Sequence, residues 1–123
     1  MEERKKILAI DDNVMQLEIF KKMLSDKYSL HTASGASAAL VFMNANEVDL
    51  ILLDIEMPNI SGFDFLSDIR KIPSYMNVPI IIVSGNTGDD FFAQARSSSA
   101  FAVLSKPVTS DMLINTIEKA LTK

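Results

Sequence analysis

Cysteine is absent from the 123 residues, which excludes disulfides and thiolate metal sites and leaves oxygen, amine and a single imidazole for any chemistry. A basic excess is missing as well: the formal net charge is −4, both signs are mixed along the chain, and the longest basic run is "RKK" at residues 4 to 6. Direct nucleic-acid binding is therefore not expected. No apolar run approaches the ~20 residues needed to cross a bilayer. The charged start "MEERKK" leads into only a short apolar segment, so neither a signal peptide nor a membrane span is expected, and a cytoplasmic location is. Repeats, linkers and low-complexity tracts are lacking too. One domain over residues 1–123 is the reading that follows for a chain of this length.

What is present is a soluble, globular composition, 48% hydrophobic and 23% charged. Short aliphatic runs alternate with segments of helical period. "ILAI" (7–10) reads as a first strand, and Val14, Leu17, Phe20 and Leu24 as the face of a helix capped by Asp12 or Asn13. "YSLHTA" (28–33) is a partly polar strand suited to a sheet edge, followed by a helix over 36–45 with a stripe through Ala39, Leu40 and Met43. "DLILLD" (49–54) and "PIIIVS" (79–84) are apolar on both faces, the mark of strands covered by helices on both sides. Between them the chain breaks at Pro58 and Gly62, a third helix carries Phe63, Leu66 and Ile69, and Pro73 and Pro79 bracket a loop. A helix from Asp89 to about Arg96, the strand "FAVLS" (101–105) and a closing helix complete the pattern. That last helix carries Leu113, Ile117, Ala120 and Leu121 behind a Thr109 or Ser110 cap. Strict alternation of strand and helix predicts a doubly wound parallel α/β fold with right-handed crossovers.

In open α/β sheets ligands bind outside the carboxyl ends of the strands. The first strand ends at Asp11 and Asp12, the third at Asp54, the fourth at Ser84 and Gly85, and the fifth just before Lys106 and Pro107. Parallel strands bring these to one edge. Three carboxylates gathered there repel, each pair at ~4 Å by about 1 to 4 kcal/mol depending on the dielectric. Lys106 supplies one compensating charge, and Mg²⁺, which takes oxygen ligands and phosphate together, is the natural second. A carboxylate beside Mg²⁺ can act as a nucleophile toward phosphorus while a metal, an ammonium and a hydroxyl absorb charge on the transferring group. Asp54, Lys106 and Ser84 have the chemistry for those roles. Singly, each has a plainer reading: Asp12 a helix cap, Asp54 a turn residue before Pro58, Ser84 a strand-end hydroxyl, Lys106 a surface lysine. Together they point to one pocket.

With these residues the chain resembles the receiver domain of two-component response regulators, a family that includes a single-domain chemotaxis regulator. The likeness runs through "ILAIDDN", "ASGASAAL", "VDLILLDIEMPNISG", "VPIIIVSG" and "LSKPV". It implies a flavodoxin-like (βα)5 sandwich with a five-stranded parallel sheet in the order 2-1-3-4-5. It also implies that Asp54 is the phosphoacceptor, and that Asp12, Asp54 and the backbone carbonyl of Glu56 ligate Mg²⁺, with Asp11 acting mainly through metal-bound water. Lys106 would pair with phosphoryl oxygens, Ser84 would be the switch hydroxyl, Gly85 would leave access, and the bond before Pro107 would be cis. A sensor histidine kinase or a phosphotransfer protein would be the donor. The domain would catalyse its own phosphorylation and slow dephosphorylation rather than turn over a substrate. The modified state would alter the surface of the fourth helix, fifth strand and fifth helix to control an output domain or another partner, as a monomer or as a dimer formed on phosphorylation.

Several positions depart from the family pattern. Val103 stands where a tyrosine or phenylalanine usually reports the switch, Ser99 where a glycine is usual, and Phe101 and Ala102 where acidic residues are common. Glu56 and Asn86 occupy variable positions flanking the pocket. His31, on the edge strand, lacks the partners of a general base, and the seven methionines are scattered as gap fillers. Three other functions are weighed: a hydrolase working through an aspartyl phosphate, an unphosphorylated interaction module, and a flavin binder. The first lacks a cap segment and has Glu56 where such enzymes commonly use a second aspartate. The second is opposed by the retained acidic residues, Ser84 and Lys106, and the third by the acidic loop "DDNV", which repels an anionic cofactor.

Overall fold

Hydrophobic runs at two different periods become two kinds of element in the computed structural model, which describes residues 4–57, 60–86 and 88–122. In order they are β1 (Lys6–Ile10), α1 (Val14–Leu24), β2 (Ser29–Ala33), α2 (Ala36–Ala45), β3 (Leu50–Leu53), β4 (Glu56–Met57), β5 (Ile60–Ser61), α3 (Gly62–Arg70), a 3₁₀ turn (Pro73–Tyr75), β6 (Ile80–Ser84), α4 (Asp89–Ser97), β7 (Ala102–Ser105) and α5 (Ser110–Leu121). Pro58, read from the sequence as the break after the third strand, lies outside the described residues.

The main sheet is parallel, in the order β2-β1-β3-β6-β7. This is the 2-1-3-4-5 order that the family resemblance implies once the small antiparallel pair β4-β5 is counted. Alternate residues of a strand point to opposite faces. Leu8, Ile10, Ile51, Leu53, Ile80 and Ile82 accordingly pack beneath α2, α3 and α4, through Ala39, Met43, Phe65, Leu66, Ile69, Phe91 and Ala95. Ile7, Ala9, Leu50, Leu52, Ile81 and Val83 pack on the other face beneath α1 and α5, through Leu17, Phe20, Leu24, Leu113, Ile117 and Ala120. Every residue of β3 and β6 is buried, as their unbroken apolar runs require, whereas β2 pairs only with β1 and is half-exposed along most of its length.

Two caps resolve alternatives the sequence leaves open. Asn13 Oδ1 accepts the Met15 and Gln16 amides at 3.0 and 3.2 Å, so Asp12 is not the cap of α1. Thr109 Oγ1 accepts the Met112 amide at the start of α5. The hairpin β4-β5 is a feature the sequence reading lacks. It pairs Glu56 with Ser61 and Met57 with Ile60, and it presses Gly62 against Ile55, where a Cβ would lie 2.6 Å from the Ile55 carbonyl oxygen. The serine run also acquires a structural account. Arg70, at the end of α3, donates to Ser99 Oγ and the Ser99 carbonyl at 2.8 and 3.1 Å and to the Tyr75 and Val78 carbonyls, tying the loop before β6 to the loop before β7.

Candidate functional site

Backbone ladders carry the site residues to one edge. The Asp11 amide donates to the Ala33 carbonyl (3.1 Å), the Asp54 amide to the Ile10 carbonyl (3.0 Å) and the Lys106 amide to the Ser84 carbonyl (2.9 Å). Asp11, Asp54, Ser84 and Lys106 thus sit at, or one position beyond, the carboxyl ends of their strands, held by the last rungs of the parallel sheet, and Asp12 follows two positions beyond β1.

Carboxylate oxygens of Asp11, Asp12 and Asp54 all lie within 4.8 Å of one another. Asp11 and Asp54 are buried, at 1% and 5% exposure, and Asp12 is exposed at the mouth. Lys106 reaches in from β7 with Nζ 2.9 Å from Asp11 Oδ2 and 3.8 Å from Asp54 Oδ2. The ammonium therefore compensates Asp11 more than Asp54. Burial pushes the Asp54 carboxyl up to about 6; the Glu56 amide bonded to its Oδ1 at 3.1 Å opposes that, the Asp11 charge adds to it, and Lys106 offsets it only in part.

Three clustered carboxylates with one ammonium leave a net negative, oxygen-lined site, which fits a hard divalent cation such as Mg²⁺. Asn13 satisfies the helix amides on its own, so Asp12 is not committed to capping.

Ser84 is fully buried at the end of β6; its Oγ accepts the Asn86 amide at 3.1 Å and donates to Glu56 Oε1 at 3.4 Å. Beside Gly85 there is open space, since an added Cβ would meet nothing within 4 Å. The Lys106–Pro107 peptide is cis, the isomer the resemblance implies. Val103 lies in β7, half-buried against the cluster beneath α4, at a distance along the strand from the acidic edge. His31 contacts the Phe42 ring on the far edge of the sheet and takes no part in the site. The sequence reading missed the Glu56 side chain as a partner of Ser84. Its only signal in the sequence is a glutamate two residues beyond Asp54, and β4-β5, which carries it, is too short to show a pattern there.

An acid-and-ammonium pocket at the carboxyl edge of a doubly wound parallel sheet lies where α/β domains of this architecture bind their ligands. Residues 7–118 match the response regulator receiver domain, and the chain belongs to that family. Receiver domains are phosphoacceptors of two-component signalling rather than a classical enzyme family. The chain is 32% identical over 116 residues to the CAI-1 autoinducer sensor kinase/phosphatase CqsS of Vibrio cholerae, covering 92% of this chain and 17% of that protein. It is 30% identical over 116 residues to the transcriptional regulatory protein GlrR of Escherichia coli, covering 94% of this chain and 26% of that one. The chain thus spans about a quarter or less of the length of these relatives. Among solved structures, the chemotaxis protein CheY4 of Vibrio cholerae superposes with a TM-score of 0.89 at 27% identity, covering 96% of this chain and 99% of that one. Among the described residues no helix is long and apolar enough to cross a membrane.

Proposed function

We propose that residues 1–123 act as one cytoplasmic phosphorylation switch in which Asp54 takes a phosphoryl group from a histidine kinase or a histidine phosphotransfer protein. An Asp54 carboxylate oxygen attacks the donor phosphorus, the O–P bond forms as the P–N bond breaks, and the imidazole nitrogen leaves with the electron pair and takes up a proton. Asp12, Asp54 and the Glu56 carbonyl would hold Mg²⁺, with Asp11 behind them; when bound, the cation neutralises charge on the transferring phosphoryl oxygens. Lys106 would pair with one of those oxygens, and Ser84 would donate its hydroxyl proton to another. The same groups would serve slow hydrolysis of the acyl phosphate. The readout would pass to the surface of α4, β7 and α5, where an output domain or separate target is controlled.

The observation that carries this reading is the meeting of Asp11, Asp12, Asp54 and Lys106 from three different strand ends in one pocket. Intact mass spectrometry after incubation with acetyl phosphate and Mg²⁺ tests it. A single phosphoryl adduct is expected, abolished by chelation and by Asp54→Ala; an adduct of equal yield in Asp54→Ala would defeat the assignment.

A further inference from the structure

Resting on the reading of Asp54 as phosphoacceptor and Ser84 as its hydroxyl partner, we infer that the Glu56 side chain is a latch on Ser84. It engages the hydroxyl's one proton in the unmodified domain and so sets how readily the site accepts and keeps a phosphoryl group. The Ser84 hydroxyl proton is already directed at Glu56 Oε1, at 3.4 Å, while Oγ accepts from the Asn86 amide. A serine hydroxyl has a single proton to give. Donation to a group on Asp54 therefore requires that the bond to Glu56 break first.

Glu56 is suited to this by position. It opens β4 immediately after the acceptor loop, its own amide is fixed to Asp54 Oδ1, and its register with Ser61 orients the strand. Its side chain is exposed and makes no ion pair among the described residues, so nothing but Ser84 and water competes for the carboxylate. Glu56 also adds a further negative charge to a pocket with Lys106 as its ammonium, so a simple through-space repulsion of the incoming anion is the rival account.

Beryllium fluoride, an anionic phosphoryl mimic, separates the two when its affinity is measured with Mg²⁺ by ¹⁹F NMR. The latch predicts that Glu56→Ala tightens binding about two- to tenfold, the worth of one competing hydrogen bond. Glu56→Asp, one methylene too short to reach, should tighten it likewise, and Glu56→Gln, which keeps an acceptor, should stay near wild type. In a Ser84→Ala background Glu56→Ala should have no effect, since no proton remains to be held. Repulsion predicts the opposite: Gln behaves like Ala, Asp behaves like wild type, and the gain persists without Ser84. That pattern, or no change in Glu56→Ala, overturns the latch while leaving the phosphoacceptor reading intact. Failure of the wild-type protein to bind the mimic at all would overturn both.

Discussion

Replacing Asp54 with asparagine should stabilise the metal-free domain, although it removes the residue on which the site is centred. The carboxyl is pushed from its ordinary 3.8 to about 6, chiefly by burial, with Asp11 adding to the shift. Two pKa units correspond to about 3 kcal/mol, and water at the open mouth lowers the expected gain to about 1–3 kcal/mol at pH 7.5. The folded domain binds a proton at Asp54 more tightly than the unfolded chain does. Wild-type stability therefore falls as the pH rises from about 4 to about 6 through this group, and the asparagine variant escapes that loss. An asparagine Oδ1 can still accept the Glu56 amide, and its Nδ2 can donate to Asp11, so no buried polar atom need be orphaned. Melting followed by far-UV circular dichroism in chelator should show the variant higher by about 4–12 °C at pH 7.5 for a domain of this size. The gap should close toward pH 4. Added Mg²⁺ should narrow it, since binding at a hundredfold excess over Kd stabilises the wild type by about 2.7 kcal/mol. A variant no more stable than wild type at pH 7.5, or a gap that ignores pH between 4 and 6.5, would refute the electrostatic reasoning.

Two further changes probe the frame around the acceptor. Lys106→Met removes the ammonium 2.9 Å from the buried Asp11 carboxylate and should cost about 2–4 kcal/mol in urea unfolding, since a buried charge loses its partner; an unchanged midpoint would sink the pairing. Gly62→Ala drives a Cβ against the Ile55 backbone and should cost about 1–3 kcal/mol while shifting the Glu56 and Asp54 amide resonances in ¹⁵N spectra, whereas a variant as stable as wild type would show that the hairpin yields freely.

The covered parallel sheet was legible because β3 and β6 are apolar on both faces, as strands beneath helices on both sides are, and the edge place of β2 because it is mixed; the full strand order came only with the family resemblance. The gathering of Asp11, Asp12, Asp54 and Lys106 was legible for the same reason, since strand polarity alone dictates which loops share an edge. What escaped were features set by tertiary approach rather than by local pattern. The strands of β4-β5 are too short to show a period. Arg70 reads as an ordinary last-turn cation until the Ser99, Tyr75 and Val78 carbonyls converge on it. The choice of Asn13 over Asp12 as cap depends on rotamers that composition does not reveal, and it matters because it leaves Asp12 to the site.

On the proposed reading, Val103 bears on how a phosphoryl group on Asp54 would reach the surface. A valine is stiff at χ1 and carries no ring that could swing between an inward and an outward pose. The polar connection is different in kind: Ser84 Oγ accepts the Asn86 amide, and Asn86 Oδ1 accepts the Gly88 amide at 2.9 Å, at the cap of α4. Contiguity by itself is not coupling; an element with two arrangements is required. With Asp54 phosphorylated as proposed, the Ser84 hydroxyl would be such an element, its proton having two alternative acceptors, the Glu56 carboxylate and an oxygen on the modified Asp54. Turning from one to the other would alter the Asn86 bond and, through Asn86, the cap of α4, a helix whose Phe91 and Ala95 belong to the cluster that Val103 packs against. On the proposed reading the hydroxyl, rather than an aromatic ring, would be the part with two positions in this chain.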